Sequence, residues 1–112
     1  MQKDCIFCKI INKEIPAKIV FENSKVLAFH DINPLMPIHV LIIPKEHIES
    51  IKSLSSGNIS IVEDLHLAAI EIAKMHNIED FRLISNCGKS VGQSVFHLHY
   101  HLLGGSQIQN LV

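Results

Sequence analysis

Residues 94–103 read SVFHLHYHLL, with imidazoles at every second position: His97, His99 and His101. Histidine makes up 8 of the 112 residues, an excess that points to chemistry. Side chains alternate across an extended chain, so the three imidazoles share one face and Leu98, Tyr100 and Leu102 the other. A merely solvated polar face would leave that strict alternation unexplained. One His-x-His pair can converge on a zinc ion, but all three cannot easily do so. At roughly 3.3 Å per residue the outer two start about 13 Å apart, while zinc ligands lie about 2 Å from the metal. A histidine-only catalytic zinc site would need a further ligand from elsewhere. Covalent catalysis fits better. A neutral imidazole is a good nucleophile at phosphorus and a fair leaving group, so it divides one phosphoryl or nucleotidyl transfer into two steps. The transferred phosphate then needs donors where negative charge develops. The preceding loop offers them. Gly88 and Gly92 allow backbone approach to a phosphate, and Asn86, Gln93 and Ser94 carry side-chain donors.

A second group stands near the N-terminus. Cys5-x-x-Cys8 has the spacing of one half of a structural zinc site. The alternative is a pair of unpaired thiols filling core space. Three cysteines do not make a disulfide framework, and Cys87 reads as an ordinary loop cysteine.

These residues need a scaffold. CIFCKIINK (5–13) predicts a short helix, and Pro16 restricts Ile15 to extended backbone. KIVFE (18–22) and KVLAFHD (25–31) read as a hairpin turning at Asn23-Ser24. Asn33-Pro34 and Met36-Pro37 mark an irregular loop. HVLIIPK (39–45) is apolar almost throughout, which predicts a strand buried on both faces. Ser60 followed by Glu63 resembles a capping box. From there Ile61, Leu65, Ala68 and Ile72 recur at helical spacing, predicting a helix over about 59–76. Ile59, Val62, Ala69 and Ala73 lie elsewhere around that helix, more apolar surface than one sheet can cover. FRLIS (81–85) and Val95–Leu103 complete about five strands. The expected architecture is α+β, a single domain over 1–112 with a mainly antiparallel sheet, one long helix and a short N-terminal helix.

The net charge of −1 provides no basic field for nucleic acid or an anionic membrane surface. No apolar stretch approaches the roughly 20 residues of a membrane span. MQKDCIFCKI has no long apolar run after its lysine, so no signal peptide is expected, and a cytoplasmic location follows. Charged residues are 19%, below the usual share of about 25%. This hints at surface buried in an oligomer.

GQSVFHLHYHLLGG resembles the signature His-φ-His-φ-His-φ-φ of the histidine triad (HIT) family, where φ is apolar. The resemblance extends from CIFCKIINKEIPAKIVFE through AFHDINPLMPIHVLIIPKEHI to the final glycine pair. Ser94 and Gly104-Gly105 make it most similar to the Hint branch, the histidine triad nucleotide-binding proteins. The resemblance implies the HIT fold and His99 as the nucleophile at the α-phosphorus of a nucleotide, with water releasing the nucleoside monophosphate. His101, Asn86, Ser94, and Gly92 with Gln93, match positions that hold the phosphate. Ser94 also matches a position that helps the leaving group, and His39 the fourth histidine near the site. Asp31 matches the carboxylate on the ribose hydroxyls. Ile6, Phe7, Ile10, Phe29, Ile32 and Leu41 match the apolar slot for the base. His47 and His97 would join Cys5 and Cys8 around a structural zinc that catalysis does not require. His30, His66 and His76 match no role. The implied activity is hydrolysis of purine nucleoside phosphoramidates of the AMP type. Alternatives are a dinucleoside polyphosphate hydrolase or a nucleotide-sensing module with weak turnover. A homodimer is also implied, with the 59–76 helix and the Arg82–Ser85 strand at its interface. In longer proteins of this kind the C-terminal tail shapes leaving-group preference. Here the chain runs only to Leu111-Val112.

Overall fold

The computed structural model describes residues 4–108, and the end of the tail, Leu111-Val112, lies outside the described residues. Helix α1 (Ile6–Ile11) starts at Cys5, whose sulfur accepts the Cys8 N–H at 3.4 Å. It is shorter than the predicted 5–13 because Lys13 takes a left-handed conformation that ends it. Strands β1 (Ile19–Glu22) and β2 (Val26–His30) form the expected hairpin. The Asn23 carboxamide oxygen closes its turn by accepting the N–H groups of Lys25 and Val26. Strand β3 (Ile38–Pro44) is followed by helix α2 (Ile61–Met75), strand β4 (Phe81–Ile84) and strand β5 (Tyr100–Gly104). The sheet order is β1-β2-β3-β5-β4, and every pairing is antiparallel.

The sheet is covered on both faces at its centre. Val26, Ala28, Val40, Ile42, Leu98 and Leu102 pack against Leu65, Ala68 and Ile72 of α2. Leu27, Phe29, Leu41 and Ile43 point the other way, onto Phe7 and Ile10 of α1. This explains the unbroken apolar run of β3, six of whose seven residues are buried. The second face also carries His97 and His99, whose rings lie against Phe7 of α1. Among the described residues no helix is long and apolar enough to cross a membrane.

Three expectations need correction. The Ser60 hydroxyl caps nothing. Turn bonds already run through 55–62, so Ser60 has helical backbone and its oxygen is not aimed at the Glu63 N–H. Strand β5 begins at Tyr100 and not at Val95. In its register Leu98 would oppose Pro44, which has no N–H to donate, so the ladder stops and Leu98 bonds to Ile48 O instead. Finally, Ala69 and Ala73 do not face outward; both are buried within this chain. The outward apolar residues of α2 are Leu67, Ile70 and Met75.

Candidate functional site

Each central imidazole has a backbone partner that decides which nitrogen carries its proton. His97 is fully buried, and its Nε2–H donates to Pro44 O at 2.8 Å, leaving Nδ1 as a lone pair. His99 does the reverse: its Nδ1–H donates to His97 O at 2.7 Å, leaving Nε2 as the free lone pair. The Ser85 hydroxyl in turn donates to His99 O at 2.8 Å. Phe7 stands edge-on to His99, with ring centroids 5.1 Å apart, and Phe29 stacks edge-on behind it. Burial lowers the pKa of His99, opposed by its own hydrogen bond and by Asp31. The lowering favours the neutral ring, the form in which Nε2 keeps its lone pair.

His101 and His39 lie on neighbouring strands, with Nδ1 of His101 2.9 Å from Nε2 of His39. Burial, then the nearby His99 and His39, push the pKa of His101 down to about 4. Asp31 sits just past β2 with Oδ2 3.4 Å from His39 Nε2 and Oδ1 accepting the Asn33 N–H at 2.7 Å. Asp31, His39 and His101 could offer three ligand atoms to a cation. At 2.9 Å, though, the two facing ring nitrogens share a proton and leave no room for an ion between them.

The loop after β4 turns at Gly88 and Gly92, whose φ angles of 111° and 108° suit glycine. The Asn86 amide nitrogen lies 3.6 Å from where a Cβ would stand on Gly92, so the two predicted phosphate positions do meet. Gln93 departs from expectation. Its buried amide donates to Glu49 O and Val95 O and accepts the Gly88 N–H, so the side chain braces the loop and has no donor left for a ligand. The backbone N–H groups of Gly92 and Gln93 are also spent within the loop. Ser94 is exposed and lines a cavity of about 390 Å³ with Asp4, Cys5, Ile6, His47, Glu49, Val95 and Phe96.

Of the residues matched to a base slot, Phe7, Ile10, Phe29 and Leu41 form one buried cluster beside the histidine face. Ile6 is half exposed at its edge, and Ile32 is 91% exposed. Sequence reasoning missed Ser85, Pro44 O and the Leu35 N–H, which donates to His39 Nδ1 at 3.1 Å. Two of these act through backbone atoms, which every residue has, so no residue type announces them.

Cys5, Cys8, His47 and His97 converge behind the triad. One ligand atom from each lies within 4.8 Å of all the others. Cys5 Sγ is 3.3 Å from His97 Nδ1, and Cys8 Sγ is 3.3 Å from His47 Nδ1. Burial raises the pKa of Cys5, opposed by the Cys8 backbone N–H and reinforced by the Cys8 thiol. Two sulfurs and two imidazole nitrogens are the donor set of a tetrahedral zinc. The Pro44 bond supplies the outer contact that aims a metal-ligating histidine. The residues therefore fit the ion.

Residues 4–110 match the family model described as the C-terminal binding region of the scavenger mRNA decapping enzyme. An uncharacterised HIT-like protein of Synechocystis is 48% identical over 106 residues, covering 94% of this chain and 93% of that one. A HIT family hydrolase from Clostridium thermocellum superposes with a TM-score of 0.97 at 48% identity, covering 100% of this chain and 99% of the other. A histidine triad protein from Clostridium difficile gives 0.96 at 44% identity with the same coverage. The chain belongs to the HIT family.

Proposed function

We propose that this protein is a nucleotide-binding hydrolase that cleaves purine nucleoside phosphoramidates through a nucleotidyl-histidine on His99. The observation that carries this reading is the His99 Nδ1–H bond to His97 O, which leaves Nε2 as the in-plane lone pair. Nε2 attacks the α-phosphorus and the P–N bond to the leaving amine breaks. The amine takes a proton delivered through Ser94 or His101. Water then attacks the same phosphorus, the P–Nε2 bond breaks, and the nucleoside monophosphate leaves with His99 restored. Asn86 and His101 donate to the phosphate oxygens. Asp31 accepts from the two ribose hydroxyls, a fit for a carboxylate with two acceptor oxygens. Ile32, exposed beside Asp31, and Ile6 flank the base, with Phe7, Ile10, Phe29 and Leu41 as its apolar backing. The serine at 94 and the glycine pair at 104–105 favour the Hint branch over a dinucleoside polyphosphate hydrolase.

The Cys5, Cys8, His47 and His97 set would hold a structural zinc. The ion ties α1 to the chain entering β5, and no chemical step uses it. The working unit is a homodimer. Support comes from the exposed Leu67 and Ile70 on α2 and from β4, an edge strand whose outer side would otherwise template aggregation.

The test compares turnover of a fluorogenic AMP–amine with that of a diadenosine polyphosphate, with AMP binding measured separately. Preferential release of the amine supports the phosphoramidase. Preferential cleavage of the polyphosphate, or binding without turnover of either, contradicts it.

A further inference from the structure

Loop 31–37 joins β2 to β3 and grips the site from two sides with backbone amides. The Asn33 N–H holds Asp31, and the Leu35 N–H holds His39. The second bond has a consequence. An amide N–H can only donate, so Nδ1 of His39 must be its lone pair, and a neutral His39 then carries its proton on Nε2. That Nε2–H faces Nδ1 of His101 at 2.9 Å, so Nδ1 of His101 must accept. A neutral His101 is left with its own proton on Nε2. The two rings are tilted at 48°, with centroids 5.2 Å apart, as an edge hydrogen bond requires and a stacked pair does not. Burial of His39, with Asp31 opposing, lowers its pKa and keeps it neutral. The side chain of Leu35 takes no part: the residue is 78% exposed.

We propose that the backbone amide of Leu35 is a positioning group for the reaction, setting the proton of His39 and through it fixing His101 as an Nε2–H donor. The chain is Leu35 N–H to His39 Nδ1, then His39 Nε2–H to His101 Nδ1, with His101 Nε2–H free for the phosphate or the leaving amine. It rests on the reading of His101 as a donor in the proposed reaction. Asp31 Oδ2, 3.4 Å from His39 Nε2, competes for the middle proton. A ribose that engages Asp31 would release that proton wholly to His101, so the loop links sugar capture to the donor. The tautomer setting is thus placed on a loop that uses the amide of residue 35 and leaves its side chain exposed.

Long-range proton–nitrogen correlation spectra of the ligand-free protein read each imidazole tautomer directly. His39 and His101 should both be Nε2–H, and His99 Nδ1–H. An Nδ1–H form of either His39 or His101 overturns the proposal. It does so whatever the substrate proves to be, so this outcome is separate from failure of the proposed function. The second arm replaces the Leu35 amide by an ester, using the hydroxy acid of leucine, which deletes only the N–H. The same replacement at Met36 is the control. The Leu35 ester should lower kcat about five- to tenfold with KM changed less than twofold, and His101 should become a mixture of tautomers. The Met36 ester should do neither. Unchanged tautomers and kcat in the Leu35 ester, or equal losses in both esters, would contradict the proposal.

Discussion

Nδ1 of His99 lies 2.7 Å from the carbonyl oxygen of His97, so the chain two residues upstream orients the ring proposed as nucleophile. The same two residues divide the labour of the triad. His97 turns its free nitrogen to the cysteine sulfurs, and His99 keeps Nε2 free, the nitrogen that would attack phosphorus in the proposed reaction. His101 would complete the set as a donor in the proposed reaction. Replacing His101 with Ala should lower kcat about 10²- to 10³-fold, the usual effect of losing one donor to a developing charge. AMP binding, read by calorimetry, should weaken far less. Equal losses in kcat and affinity would mean that His101 serves ground-state binding only.

Protein prepared without chelator should contain about one zinc per chain by elemental analysis. Changing Cys5 and Cys8 to Ser should lower the melting temperature by several degrees and leave kcat within a fewfold of wild type, because an ion held there would join elements without entering the proposed reaction. Metal-free protein of unchanged stability would remove the zinc from the account.

Stability should depend on pH through the buried imidazoles. Burial holds His101 near 4, against 6.5 for the free side chain, and lowers His39 as well. The unfolded chain therefore binds more protons than the folded one between these values. The contribution is fully present above about pH 6.5 and is lost as pH falls toward 4. Thermal melts should show the midpoint dropping across that window, and His101→Ala should flatten the drop. A midpoint rising on acidification would have the wrong sign.

Light scattering at micromolar concentration should give twice the 12.6 kDa of one chain. Ile70→Asp tests the contact, since Ile70 is exposed on α2 whereas Ile72 is buried in the chain's own core. The variant should be a folded monomer with a native circular dichroism spectrum. A wild-type mass of one chain, or an unaltered dimer in Ile70→Asp, would move or remove the interface, which for an obligate dimer should bury at least roughly 2,000 Å².

Much of this was legible in the residues. Alternation in HLHYHLL put Leu98 and Leu102 on the α2 side, where they are buried, and His99 with His101 on the other. The apolar run of β3 foretold a strand covered on both faces. The Cys-x-x-Cys spacing, joined to the family resemblance, named the four side chains that converge. What failed depended on atoms that residue types do not encode. Pro44 cuts the β5 ladder only because the register brings it opposite Leu98. Gln93 is a donor by type, but the turn between two glycines spends its amide on the loop itself. Ala69 and Ala73 read as surplus apolar surface because small residues leave no sign of how closely a helix lies on its sheet.

The proposed reaction turns on a covalent bond between phosphorus and His99. Rapid acid-free quenching of a single turnover with an AMP–amine substrate, followed by intact-mass measurement and peptide mapping, tests it most directly. A transient adduct of one nucleoside monophosphate is expected on the 94–103 segment, at His99. His99→Ala should still bind AMP, form no adduct and lose at least roughly a thousandfold in turnover. Turnover with no adduct at any time, or a His99→Ala protein of full activity, would contradict it.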